Sequence, residues 1–280
     1  MILFPNAKIN LGLNIIRKRP DGYHDLQTIF CPVNLCDAIE IIPQNSTHLA
    51  EKEVQFSNSG IIIEGNQEEN ICVKAWYLLK KDFPTLPGIY MHLHKQIPTG
   101  AGLGGGSSDG AFTLQLLNSL FKLNISADKL SSYALQLGSD CPFFIVNKPC
   151  YAQGQGEKLE QVGLDLSAYE ILLVHPGIHI STAIAFGGVI PKLPEKSVYN
   201  IIHQPIQTWR SALVNDFEAA IFQQYPVIGD IKKQLYADGA IYASMTGSGS
   251  AVYGIFEKGK MPSPVFPSGY QVFRLLPAGR

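Results

Sequence analysis

The chain has 280 residues, 46% of them hydrophobic and 10% aromatic, with only 16% charged against about 25% in an average protein. Its 22 Lys and Arg against 23 Asp and Glu leave a formal charge of −1. Such a chain has material for packed cores in about two domains, is too apolar for disorder, and lacks the basic footprint of a nucleic-acid binder.

Taken in order, alternating and β-branched stretches predict strands over residues 9–16, 38–42, 60–64 and 89–95. Asn70 caps a predicted helix reaching residue 81, with Ile71, Ala75, Leu78 and Leu79 on one face. A second helix is expected to begin at Ser107 or Ser108 and end near residue 121. The third runs from the Ser126 cap to residue 137, where Gly138 is expected to supply a left-handed stop. The turn-rich stretch 153–166 reads as a boundary, dividing the chain into domains 1–158 and 159–280. Beyond it, 169–174 is a buried strand, 206–222 and 227–238 are helical, and 241–245 and 251–256 are strands. Strands and helices mix without a strict βα repeat, so the expected class is α+β in two domains.

No apolar run approaches the ~18 residues of a membrane span. The opening residues lack a basic segment, and Pro5, Asn6 and Lys8 interrupt their apolar run, so no signal peptide is expected. The 5 cysteines form no CxxC pair and are odd in number, which speaks for reduced thiols and a cytoplasmic location.

Residues 98–108 follow a predicted strand and read Pro98, Thr99, Gly100, Ala101, Gly102, Leu103, Gly104, Gly105, Gly106, Ser107, Ser108. So many glycines let backbone amides close on an anion, and the helix start behind them adds a positive terminus. The loop is therefore a candidate phosphate cradle, with a plain flexible turn as the alternative. It satisfies Gly-x-Gly-x-x-Gly, but Pro98 and Thr99 separate it from the strand. Asp128, the acid nearest the expected spacing, falls on a predicted helix, so a dinucleotide site does not fit. The P-loop pattern is absent.

Three separated segments together resemble the GHMP small-molecule kinases: residues 5–11 around Lys8 and Asn10, the glycine loop, and residues 245–256 around Gly247 and Gly249. The stretch containing Asp21, Gly22, Tyr23 and His24 resembles the branch of that family whose substrate carries a cytidine diphosphate group, in the non-mevalonate route to isoprenoids. Residues 137–144 around Asp140, 152–157 around Gly154 and Gly156, and 175–186 resemble the same branch. Ser139, Cys141 and Gly110 are mild departures from its usual pattern.

The resemblance implies an N-terminal α+β domain with a left-handed βαβ crossover, a C-terminal ferredoxin-like α/β plait, and an active site in the cleft between. It implies ATP as phosphoryl donor with Mg as counter-ion, near Ser107 or Ser108. Asp140 would be the base for the acceptor hydroxyl, with Lys8 holding that carboxylate ionised; read without the family, Asp140 is a helix cap and Lys8 a solvated strand lysine. Tyr23 and Phe186 would sandwich the cytosine, with His24 reading its edge and Thr182 and Phe30 nearby. Asn10 would bond the polyol, while Asn70 and Lys95 would touch the nucleotide. Gly247 and Gly249 either present amides to substrate phosphate or simply turn a hairpin. His92 and His94 share a strand face without a third metal ligand in view, and Cys141 reads as packing. No nucleic acid, membrane or obligate protein partner is inferred.

Overall fold

The computed structural model describes residues 1–44, 53–63 and 65–277; Glu64, the end of the strand expected at 60–64, lies outside them. The chain divides into two compact units that interleave along the sequence. The first takes residues 1–7, 35–98 and 104–147, the second 8–34, 99–103 and 148–280. The boundary expected at 158/159 falls inside the second unit. There β7 (Cys150–Gly154) and β8 (Lys158–Gln161) pair with each other, and β7 also pairs with β3 (His24–Cys36), so the turn-rich stretch is a hairpin of a sheet.

The first unit is built on a sheet ordered β1 (Ile2–Leu3), β4 (Ala38–Pro43), β6 (Ile89–Lys95), β5 (Val54–Gly60). The β5–β6 pair is parallel and so needs a crossover, which α1 (Ile71–Asp82) supplies. As expected, Asn70 caps this helix, accepting from the Cys72 amide at 2.9 Å. β5 lies upstream of its predicted place because its polar residues Ser57, Asn58 and Ser59 are held by pairing with β6, not by an apolar pattern.

Helix α2 (Gly105–Leu120) starts earlier than expected, since Gly104 takes a left-handed φ of 69° and its carbonyl accepts from the Ser108 amide. Ser126 caps α3 (Ala127–Leu137), but Gly138 beyond it is extended, with φ 170°, and is not a left-handed stop. α4 (Cys141–Val146) follows at once.

The second unit holds two sheets. One orders β2 (Asn6–Lys18, its first two residues belonging to the first unit), β3, β7 and β8. β3 escapes sequence reading because Pro32 and several polar residues interrupt it. The other orders β10 (Tyr242–Met245), β11 (Val252–Glu257), β9 (Tyr169–His175) and β12 (Gln271–Leu275), every neighbour antiparallel. Counted along this half of the chain, that is the strand order of a ferredoxin-like plait, although β11 connects to β12 without a helix. Leu13 and Ile15 of β2 share a core with Leu172 and Val174 of β9 and with Ile228 and Ile231 of α9 (Pro226–Ala237).

The remaining α-helices among the described residues are α5 (Thr182–Gly187), α6 (Val198–Ile202), α7 (Trp209–Ala212) and α8 (Glu218–Gln224). The single helix expected over 206–222 is broken between α7 and α8. Leu13 exchanges backbone bonds there with Val214 and Asp216, both at 2.8 Å, so the segment pairs with β2 instead of coiling.

Candidate active site

Within the second unit, the parts of the three segments that it contains, residues 8–11, 99–103 and 245–256, come together. The Lys8 amide donates to Leu103 O at 3.0 Å, and the Ala251 amide donates to Ala101 O at 3.3 Å. Thr246 Oγ1 accepts from the Asn10 amide at 3.0 Å and donates to Gly102 O at 3.2 Å. A Cβ on Gly102 (φ +76°) would meet Thr246 O at 2.0 Å, so glycine is required where the two turns touch.

Lys8 and Asn10 are buried on one face of β2. Lys8 Nζ donates to Asn10 Oδ1 at 2.6 Å and lies 4.9 Å above the Phe30 ring. Asn10 Nδ2 in turn donates to Thr28 Oγ1 at 3.0 Å. Phe30 is thus a buried partner of the lysine, and the Asn10 amide holds that lysine in place. Thr28, Thr246 and Asn215 went unnoticed in the sequence. Asn215 Nδ2 bonds both Met245 O and Gly247 O, at 2.8 and 2.9 Å, fixing the second glycine turn.

The Asp21–His24 turn closes through a left-handed Gly22 and a bond from the Tyr23 amide to Asp21 Oδ1 at 3.1 Å. Tyr23 is 61% exposed. His24 stacks on Phe186 at 4.7 Å and 19°, and Phe186 meets Phe217 edge-on at 4.9 Å. A base that uses the covered face of Phe186 must take the place of the His24 ring. Burial, with Lys18 adding to it, holds His24 below the ordinary histidine value, so the ring is neutral and able to accept a hydrogen bond near pH 7. Thr182 opens α5 one turn before Phe186.

In the first unit, Asp140 occupies the N-cap position of α4 with φ −83° and ψ −15°, yet its side chain makes no capping bond. The next residue, Cys141, is buried with its thiol pushed up to about 12 by burial, and Ser107 beside it works slightly the other way. The first turn of α2 is thereby set against the start of α4. Ser108 Oγ is buried without a hydrogen-bond partner. Gly106 is exposed, and a Cβ there would meet nothing within 4 Å. Lys95 is not turned to solvent: it is 2% exposed, with its ammonium between Asp37 and Asp109.

Other candidates are structural. Glu157 Oε2 accepts from the Gln155 amide at 2.6 Å, and its carboxylate would collide with a Cβ on the left-handed Gly154, so that motif is a tight turn. His92 and His94 bond Ser57 and Ser59, and among the described residues no group of three His, Cys, Asp or Glu side chains is placed to hold a metal ion. A cavity of 520 Å³ in the second unit is lined by Arg17, Arg19, Asp25, Gln27 and Lys158 and by none of the expected site residues. No helix among the described residues is long and apolar enough to cross a membrane.

The profile for the GHMP kinases N terminal domain matches residues 70–148, and that for the GHMP kinases C terminal matches residues 197–262. The chain belongs to the GHMP kinases. A 4-diphosphocytidyl-2-C-methyl-D-erythritol kinase from Bacteroides thetaiotaomicron is 52% identical over 263 residues, covering 94% of each chain. A crystal structure of 4-(cytidine 5'-diphospho)-2C-methyl-D-erythritol kinase superposes over 100% of both chains with a TM-score of 0.78 at 27% identity. Within the GHMP kinases, the chain therefore belongs to the 4-diphosphocytidyl-2-C-methyl-D-erythritol kinase family. The mevalonate kinase of Methanococcus jannaschii, 14% identical with a TM-score of 0.72 over 100% of this chain and 98% of its own, shares the fold.

Proposed function

We propose that this chain transfers the γ-phosphoryl group of ATP to the 2-hydroxyl of 4-diphosphocytidyl-2-C-methyl-D-erythritol, a step of non-mevalonate isoprenoid synthesis. The observation that carries the reading is the convergence of Lys8, Asn10, the glycine loop and Thr246 in one bonded cluster. Phosphoryl transfer asks mainly for positioning and charge neutralisation, which such a cluster supplies.

The ATP phosphates lie on the amides of residues 98–108 and the N-terminus of α2, with Asn70 on the nucleotide side and Lys95 buried behind the loop. Asp140 takes the acceptor proton; its carboxylate is not spent on capping α4. Lys8 keeps that carboxylate ionised and stabilises charge on the migrating group. Asn10 holds Lys8 and borders the polyol. Tyr23 stacks the cytosine, and the base meets Phe186 by displacing the His24 ring, which then accepts a bond from its edge; Thr182 lies close by, while Phe30 acts from beneath Lys8. Magnesium comes with ATP and shields its phosphate charge. The Ser108 hydroxyl, buried without a hydrogen-bond partner, would fit it as a ligand.

A coupled ADP-release assay tests this reading. Turnover is expected with the cytidine diphosphate substrate and not with homoserine or mevalonate. Turnover with either of those alone would overturn it.

A further inference from the structure

The glycine loop leaves β6 and enters α2, and one buried group of hydrogen-bonded ionisable side chains holds both of its ends. Lys95, the last residue of β6, donates to Asp37 Oδ2 and, at 2.8 Å, to Asp109 Oδ2 in the second turn of α2. Asp37 Oδ1 meanwhile accepts from the amides of Gln96 and Ile97, the latter at 2.8 Å, just where the chain turns into the loop. All three side chains are at most 3% exposed. A Cβ on Gly105 would meet Lys95 Nζ and Ile97 Cγ2, each at 2.9 Å, so the first residue of α2 rests directly on the ammonium.

We propose that Asp37, Lys95 and Asp109 form a buried clamp that closes the base of the glycine loop, making Lys95 and Asp109 positioning residues for ATP. A stretch with five glycines between 98 and 108 loses much conformational freedom on ordering, and fixed ends reduce what the nucleotide must supply when it binds. Lys95 then serves ATP from beneath the loop. Burial works against its ammonium, but Asp109 and Asp37 outweigh burial and hold the lysine above its ordinary value, so it stays charged. The inference rests on the reading that the loop holds ATP.

Asp109→Ala tests the clamp while leaving the Lys95–Asp37 pair to balance its own charge. The KM for ATP is expected to rise about tenfold or more, the worth of one charge-assisted bond. The KM for the cytidine substrate should stay within about twofold. Asp109→Asn, whose amide oxygen still accepts from Lys95, should recover most of the ATP affinity. Should Asp109→Ala fail to fold, Gly105→Ala carries the test, because its methyl displaces the ammonium from the α2 side and predicts the same selective rise. An unchanged KM for ATP, an equal loss for both substrates, or no recovery in Asp109→Asn would each overturn the clamp. Gly106→Ala, which touches no clamp atom, reports separately on the loop. ATP affinity lost there but kept in Asp109→Ala would defeat the clamp alone, whereas affinity kept in Gly106→Ala would defeat the phosphate-loop reading.

Discussion

Lys8 Nζ donates to Asn10 Oδ1 at 2.6 Å, two residues along the same face of β2. The amide is itself anchored, through Thr28 Oγ1 and onward to Gly12 O. The ammonium is therefore aimed by neighbours that cannot swing. Asn10→Ala removes that aim without removing the charge. The expected result is a kcat about tenfold lower, the worth of one hydrogen bond to a charged group, with the KM for ATP unchanged. Steady-state kinetics check this, and an unaltered kcat would leave Asn10 a purely structural residue.

Tyr23 is the exposed partner of a pair whose other member, His24, already lies on Phe186. Tyr23→Ala should weaken binding of the cytidine substrate by ~1–3 kcal/mol, the usual worth of stacking on a base. Calorimetric titration should show ATP binding unaffected. Weakened ATP binding with normal cytidine binding would mean that the two pockets are assigned the wrong way round.

At Gly106 stability and function should move in opposite directions. The residue is helical and its missing Cβ points into open space, so Ala there should raise helix stability by up to about 1 kcal/mol. The same methyl would stand where phosphate approaches the α2 amides, so ATP affinity should fall. A higher Tm with undiminished affinity would show that this face of the helix does not meet the nucleotide.

Burial pushes the Asp109 carboxyl above the usual carboxylate range, even though Lys95 pulls it down. Above about pH 4 the unfolded chain has released this proton while the folded chain keeps it, so the native state binds more protons. Stability from this group is intact at the acid end and declines as pH rises towards the folded value. Asp109→Asn cannot ionise and escapes the decline. The Tm of the variant relative to wild type should therefore increase between pH 5 and 8 in a pH series of melting curves. His24 and His175, both held low chiefly by burial, lose stability as pH falls, but equally in both proteins. A difference that is flat or shrinks with pH would contradict the buried, protonated carboxyl.

Much of this was legible because chemistry and pattern coincided. The caps Asn70 and Ser126 and the alternation of β6 placed their elements correctly. That alternation also put Lys95 in register with buried Ile89, Met91 and Leu93, a signal that its ammonium needed buried counter-charges. Nothing local named Asp37 and Asp109 as those charges, since Asp37 is 58 residues away. For the same reason Asn215 was hidden. It lies in a stretch of helical composition, and only pairing of Val214 and Asp216 with Leu13 uncoils that stretch and turns the amide onto the second glycine turn. Where long-range pairing overrides local pattern, as in β3 and β5, sequence reading loses the element.

Asp140 is the sharpest test of the catalytic proposal. It stands at the N-cap of α4 without a side-chain capping bond, so Asp140→Asn should cost the helix little stability, Asn being about as good a cap as Asp. A base cannot be replaced this way, because an amide takes no proton near neutral pH. Loss of a general base typically costs ~10²–10⁴ in rate. The lower half of that range is expected here, since a loose phosphoryl-transfer transition state asks little of the base. Part of the loss would come through Lys8, whose charge would lack the carboxylate it is proposed to serve. Melting temperature and single-turnover rate should be measured on one preparation. A Tm near wild type with the rate down by about a hundredfold or more fits the proposed base. A rate within about fivefold of wild type would leave Asp140 without a part in the chemistry and require another acceptor for the hydroxyl proton.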